Sequence, residues 1–279
     1  MNLYSQKTIK EIFLKHSIKP SKGLGQNFLI NPKILEKIII TSDLSSEDTV
    51  LEVGPGIGTL TKELSRKVKK VITVEKDRNM VEILKETLGD CNNIEVIQDN
   101  ALTFEPRNYK IEAGSYKVVA NIPYYLTSPL IRKFLEEKKP PELMVLMIQK
   151  EVAKRICEKP PNMSLLAVSV QFYAEPKIIS YVKKESFWPS PKVDSAIIKI
   201  NNISNNKPEL EPENFFRVVK AGFSQPRKQL ANNLSKSLKI NRDQTEKWLL
   251  KNNIKPAQRA ETLSIKDWHN LSRTYQTLN

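Results

Sequence analysis

Cysteine and histidine are almost absent, with two of each in 279 residues. Cys91 and Cys157 stand far apart in no paired pattern, which excludes a disulfide scaffold or a zinc cluster and argues against a secreted protein. His16 and His269 sit near opposite ends, so no metal constellation can be assembled on them. Long hydrophobic runs are missing as well. The longest, Leu143 to Ile148, falls far short of the roughly 20 residues that span a bilayer. The N-terminus also lacks the apolar centre of a signal peptide. A soluble cytoplasmic protein without a membrane partner is expected. Acidic residues are in deficit: 31 against 45 Lys and Arg leave a net charge of +14 and a pI near 9.6. Such a surplus favours a polyanionic partner, although charge alone does not separate RNA from an acidic membrane surface.

The surplus is uneven. Residues 1–33 hold six lysines, Lys22 among them, against one acid, and residues 206–279 hold fourteen basic against seven acidic residues. The first stretch reads either as an arm facing RNA or as a solvated, partly disordered terminus.

From about residue 49 short β-rich runs alternate with longer amphipathic ones. Strands are predicted at 49–53, 71–74, 94–97, 118–120 and 143–148, mostly continuous apolar runs as in a sheet covered on both faces. Helices are predicted between them at 60–67, 78–88 and 128–137, the pattern of a doubly wound α/β sheet. After a helical stretch at 164–174, two further strands at 177–182 and 193–200 flank the segment Phe187-Trp188-Pro189-Ser190-Pro191. Seven strands closed by a β-hairpin suit a methyltransferase better than a dinucleotide oxidoreductase. The Asn- and Pro-containing stretch from Asn201 to Glu213 is a poor core former and marks a linker. Beyond it, four helices are expected at 215–223, 227–238, 243–251 and 264–275, with Ser264 and Asp267 spaced as a capping pair. The expected organisation is therefore an α/β domain over 1–204, whose first 48 residues form a basic arm and helix, and a small all-helical domain over 205–279.

Glycine is scarce too, with eight in the chain, and three of the eight stand at alternate positions in Glu52-Val53-Gly54-Pro55-Gly56-Ile57-Gly58. Glycines after a strand let backbone N–H groups approach a ligand where a Cβ would collide. The G-x-G-x-G spacing differs from the G-x-G-x-x-G of nicotinamide sites. Glu75 closes the second strand, where a carboxylate can accept both ribose hydroxyls of a nucleoside. Asp99 closes the third and can accept from an adenine amine, although capping a turn is the commoner use of Asp there. Three acids ending three successive strands at one sheet edge point to a ligand such as S-adenosylmethionine.

Asn121-Ile122-Pro123-Tyr124 follows the fourth strand at the same edge. An adenine amine is a poor nucleophile because its lone pair is delocalised into the ring. Donation of its N–H groups to the Asn121 side-chain oxygen and the Ile122 carbonyl would free that lone pair. Pro123 would stiffen the turn that aims both acceptors. Tyr124 would stack on an extruded base. Phe187 can cover the other face of that base or pack in the hairpin core. Gln26 and Asn27 offer amides to a ligand at the sheet edge. Lys22, Arg227 and Lys228 are candidate RNA-binding residues, the last two competing with the plainer use of a solvated helix face.

The segments Lys22 to Leu29, Glu52 to Thr61, Asn121 to Tyr124 and Phe187 to Ser195 resemble those of the ribosomal RNA adenine dimethyltransferases. Phe223-Ser224-Gln225-Pro226-Arg227-Lys228-Gln229-Leu230 resembles the small-subunit branch in particular. This resemblance implies a Rossmann-like class I methyltransferase with a seven-stranded, mostly parallel sheet. It implies dimethylation at N6 of two adjacent adenines in the loop of the 3′-terminal hairpin of 16S rRNA, within the small ribosomal subunit or its precursor; nothing in the sequence suggests more than a monomer. It further implies that Asn27, Leu29, Gly54, Glu75, Asp99 and Asn121 contact S-adenosylmethionine. Tyr124 and Phe187 match the family's base-stacking aromatics. A related 23S rRNA enzyme, a non-catalytic ribosome assembly factor and a nicotinamide oxidoreductase are the competing readings. The last is disfavoured by the glycine spacing and by the want of an acid–base His or Tyr-Lys pair.

Overall fold

The computed structural model describes residues 1–21, 23–109, 111, 116–203 and 211–275, so Lys22 and the middle of the Asn-rich stretch lie outside it. The chain divides into two compact units, residues 1–153 with 175–203 and residues 154–174 with 204–279.

The first unit opens with α1 (Gln6–Lys15), β1 (Phe28–Leu29) and α2 (Pro32–Thr41). Alternation then sets in: β2 (Thr49–Val53), α3 (Thr59–Ser65), β3 (Lys70–Glu75), α4 (Arg78–Thr87), β4 (Ile94–Gln98), β5 (Tyr116–Asn121), α5 (Thr127–Glu136) and β6 (Leu143–Gln149). It closes with β7 (Glu175–Val182), β8 (Phe187–Trp188) and β9 (Ser195–Asn201). Seven strands form one sheet in the order β4-β3-β2-β5-β6-β9-β7. The β4 to β6 side is parallel, and β9 runs antiparallel to both β6 and β7. All seven overlap the predicted runs, and the central ones do so because a strand covered on both faces must be apolar almost throughout. In β6 six of seven residues are buried. Strand order reverses between β2 and β5, the switch point outside whose carboxyl ends such sheets bind ligands.

The basic N-terminal stretch contains two helices, and its first is packed by an apolar face. Ser5 caps α1 by accepting from Thr8 N, and Ile9, Ile12 and Phe13 repeat at helical spacing. All three are buried in a cluster with Phe28, Ile57, Met80 and Ile83, each burial stabilising the unit by roughly 1.5–3 kcal/mol. Lys7 and Lys10 stay exposed. On the other side Lys15 and His16 both bond Glu86 of α4, at 2.8 and 2.9 Å. The sequence also shows no sign of the ribbon in which β1 pairs β8 antiparallel, Phe28 opposite Trp188 and Leu29 opposite Phe187.

The second unit is helical: the end of α6 (Lys150–Ile156), then α7 (Leu165–Gln171), α8 (Pro212–Gly222), α9 (Leu230–Leu238), α10 (Arg242–Lys251) and α11 (Ile265–Tyr275). Its core gathers Phe215, Val218, Leu234, Trp248 and Trp268, joined by Ala167, Val168 and Phe172 from upstream of the last strands. A contiguous boundary near 204 does not anticipate that contribution. Ser264 and Asp267 form the expected capping box, with Ser264 N donating to Asp267 Oδ2 at 2.8 Å and Asp267 N to Ser264 Oγ at 3.2 Å. The second of the four C-terminal helices begins later than the pattern predicts, at Leu230 and not at Arg227. Asn233 Nδ2 donates to the carbonyls of Gly222 (2.7 Å) and Gln225 (3.0 Å), which holds the preceding residues as a turn.

Gly222 packs closely against Trp268: a Cβ there would lie 2.5 Å from the ring atom Cη2. Overpacking of this kind costs about 1–3 kcal/mol. Gly222→Ala is therefore expected to lower the denaturation midpoint of the second unit, as read by tryptophan fluorescence.

Candidate active site

The glycine turn leaves β2 with Gly54 N donating to Val74 O at 3.0 Å, which extends the ladder to β3 by one rung. Gly54 (φ +67°) and Gly56 (φ +58°) both adopt left-handed backbone. Each also has a neighbour where a side chain would stand. A Cβ on Gly54 would be 3.1 Å from Pro123 Cδ, and one on Gly56 3.0 Å from Phe28 Cε1. The glycines thus let three separated motifs close on one another, a use beyond the ligand approach expected of them.

A cavity of about 280 Å³ opens at the carboxyl ends of β2 to β5, and Asn27, Leu29, Glu52, Gly54, Glu75, Asp99 and the whole Asn121 to Tyr124 turn line it. Asp99 N donates to Glu75 O at 3.0 Å, so these two acids end adjacent strands side by side. Glu75 Oε1 accepts from Asp77 N at 2.8 Å, which orients the carboxylate, while burial pushes its pKa up. Asp99 Oδ1 accepts from Asn100 N at 2.6 Å, and it is Asn100 that caps the turn, accepting from Leu102 N. Glu52 is 1 % exposed, and its Oε2 has no hydrogen-bond partner. A buried acid with one oxygen left free, beside two more carboxylates, suits a ligand that brings positive charge and hydroxyl or amine donors. S-adenosylmethionine has both.

Asn121 Nδ2 donates to the backbone oxygen of Asn27 at 3.3 Å. With the nitrogen engaged, the side-chain oxygen is the atom left to accept. Ile122 N donates to Met147 O (3.2 Å) and Leu126 N to Pro123 O (2.9 Å), fixing the turn at both ends. Among the described residues no hydrogen bond ends on the Ile122 carbonyl. The Tyr124 hydroxyl is 2.7 Å from Ser195 Oγ on β9, which sets the ring's position, and burial raises its pKa. Nothing local to the motif that carries Ser195 marks it as this anchor. Tyr125, 54 % exposed at the cavity, directly follows the Asn121 to Tyr124 turn without a sequence signal of its own.

At Phe187 the structure takes one of the two alternatives. Phe187 does not line the cavity; it is 2 % exposed and belongs to a core cluster with Leu29, Val182 and Ile197. Pairing of β8 with β1 takes it inward, which is the hairpin-core alternative. Gln26 lines the cavity and is held in place there: Nε2 donates to Asp77 at 2.8 Å and Oε1 accepts from Ser21 N at 2.7 Å, tying the N-terminal segment to the start of α4. Arg227 and Lys228 are exposed in the α8–α9 turn of the second unit. Lys228 lines a groove of about 440 Å³ that Lys236 also borders.

A seven-stranded sheet whose last strand in sequence inserts antiparallel, with acids ending β3 and β4 and a glycine turn after β2, defines a class I S-adenosylmethionine-dependent methyltransferase. The family model described as Ribosomal RNA adenine dimethylase matches residues 4–277. The chain belongs to that family. A relative from Dehalococcoides mccartyi (strain CBDB1), named Ribosomal RNA small subunit methyltransferase A, is 43 % identical over 270 residues, 95 % of this chain and 92 % of that one. A relative of the same name from Clostridioides difficile (strain 630) is 40 % identical over 281 residues, 99 % and 97 % of the two chains. Among solved structures, a dimethyladenosine transferase from Plasmodium falciparum superposes with a TM-score of 0.75 at 28 % identity, over 89 % of this chain and 97 % of its own. The 23S rRNA methyltransferase ErmE gives 0.72 at 28 % identity, over 88 % and 98 %.

Proposed function

We propose that this enzyme dimethylates adenine N6 in small-subunit ribosomal RNA, and that its target is the pair of adjacent adenines in the loop of the 3′-terminal hairpin of 16S rRNA. The observation that carries the chemistry is the Asn121 turn. Its free amide oxygen and its Ile122 carbonyl stand at the cavity that holds Glu75 and Asp99. Two acceptors beside a cofactor cleft serve an amine, and a scaffold that only bound RNA would have no use for them.

Bound S-adenosylmethionine supplies a methyl group already activated on a sulfonium. Glu75 and Asp99 hold the nucleoside end by accepting from its hydroxyls and amine, with Asn27, Leu29 and Gly54 forming the remaining wall. The Asn121 oxygen and Ile122 carbonyl accept both N–H groups of the target amine, which turns its lone pair out of conjugation. Tyr124, pinned by Ser195, offers its ring to the extruded base in place of the stacking lost from the RNA, roughly 1–3 kcal/mol. Alignment and electrostatics account for the rate without a general base.

Small-subunit specificity is supported by the 40–43 % identity to relatives named for that subunit, against 28 % to the 23S enzyme. The helical unit, with Lys228 and Lys236 on one groove and Arg227 exposed beside it, is read as an RNA-binding domain. Replacing Arg227 and Lys228 together should weaken binding to rRNA and reduce the slope of log K against log salt by about one for each lost phosphate contact. An unchanged slope would place both on a merely solvated surface. We read the enzyme as a cytoplasmic monomer; no described helix is long and apolar enough to cross a membrane.

The deciding experiment incubates the purified protein with labelled S-adenosylmethionine and unmethylated 30S or 50S particles, followed by mass spectrometry of the 16S 3′-terminal fragment. Two methyl groups on each of the two loop adenines is the expected result. Label confined to 23S rRNA, or none on either, overturns the reading.

A further inference from the structure

Tyr125 stands at the cavity with no task yet assigned to it. Its neighbour Tyr124 is held by its hydroxyl against Ser195 at 2.7 Å. Tyr125 is more than half exposed, and among the described residues no hydrogen bond ends on its hydroxyl. An exposed aromatic is ordinary on an open surface; this one lines a cavity together with Glu75 and Asp99. One edge of its ring rests by Gly25, where a Cβ would lie 3.8 Å from Tyr125 Cδ1 and where the backbone is left-handed at φ +64°. Burial first, and then the charge of Glu75, raise the pKa of the phenol, so it stays a donor at neutral pH and lies close enough to feel that acid. In the sheet, β2 runs between β5, which the Tyr125 turn follows, and β3, which Glu75 ends. Neighbouring strands are about 4.8 Å apart. The side chain therefore leans from the turn after β5 across the end of β2, at the cavity mouth.

We propose that Tyr125 is a further cofactor-binding residue, its ring covering the ribose of S-adenosylmethionine and its hydroxyl donating to a ribose oxygen beside Glu75. A carboxylate can only accept, so Glu75 satisfies the hydrogens of the ribose hydroxyls and leaves their oxygen lone pairs without a donor. Closing the cavity takes water away from those oxygens, and an acceptor buried without a partner is costly. The phenol supplies the missing donor, and the ring replaces solvent over the sugar. The inference deepens the reading of this cavity as a site for S-adenosylmethionine, with Glu75 at the ribose, and rests on it.

Calorimetry of the intact protein compares S-adenosylhomocysteine, which presents the same ribose as the donor, with its 2′-deoxy and 3′-deoxy analogues. Tyr125→Phe should bind S-adenosylhomocysteine about three- to tenfold more weakly, yet match the wild type on the analogue that lacks the bonded oxygen. Tyr125→Ala, which loses the ring as well, should fall about tenfold further. A tyrosine with a merely structural role would lower the affinity for all three ligands alike. Nitration of the wild-type protein by tetranitromethane, mapped by mass spectrometry, gives a second readout. Saturating S-adenosylhomocysteine should slow nitration of Tyr125 severalfold, while Tyr181, about equally exposed on β7, reacts at an unchanged rate. If the Phe variant does not fold, this protection decides. Any of three results overturns the proposal: no loss of affinity in Tyr125→Phe, equal loss with all three ligands, or nitration of Tyr125 that the ligand does not slow. Absence of binding heat with the wild type, or a Glu75→Ala variant that binds all three ligands as the wild type does, instead sinks the ribose site on which the proposal stands.

Discussion

Asn121→Ala should lower single-turnover methylation of 30S particles by about 10²–10³-fold, equivalent to roughly 2.7–4 kcal/mol of transition-state stabilisation, by analogy with removal of one oxyanion-hole group. The side chain touches the reacting amine in the proposed arrangement, while rRNA affinity comes from phosphate contacts elsewhere. The Kd for the particle should therefore hardly move. The same change removes the Nδ2 bond to the Asn27 backbone at the cofactor wall, so the affinity for S-adenosylmethionine is measured separately by calorimetry. A rate within a few-fold of wild type at saturating cofactor and particle would show that the amide oxygen does not accept from the amine.

Glu75→Ala should weaken S-adenosylmethionine binding by about 10–100-fold, since hydrogen bonds to a charged acceptor contribute roughly 1.5–3 kcal/mol. S-adenosylhomocysteine should lose affinity by a similar factor, because the ribose it presents is the same. Calorimetry of both ligands against this variant checks both losses together. If Glu75→Ala leaves both affinities intact, the acid at the end of β3 is structural, and its bond to Asp77 N at 2.8 Å is then its whole purpose.

Much of the site was legible because it obeys a local rule. In a parallel sheet each strand points its carboxyl end the same way, so residues that close consecutive apolar runs reach one edge whatever the intervening helices do. Glu75, Asp99 and Asn121 could be placed together on that ground, and the structure brings them to one cavity. The capping box at Ser264 and Asp267 was equally local.

What failed to show was long-range. Phe187 turns inward because a two-residue strand pairs with Leu29, 158 positions earlier. Such short strands have no periodicity to detect. The aim of the Asn121 amide depends on Asn27 and that of the Tyr124 ring on Ser195, across 94 and 71 positions.

By itself the sequence determined the seven strands of the sheet, the helices between and after them, the sheet edge that carries the chemistry and the residue types assembled there, since those follow from hydrophobic periodicity and chain direction. Only the tertiary structure decided which atoms remain free to act. The grouping of residues 154–174 with the C-terminal helices, the inward turn of Phe187 and the unpaired oxygen of Glu52 all depend on packing between segments far apart in the chain. No local pattern encodes such contacts, because their energy exists only once the partners have met.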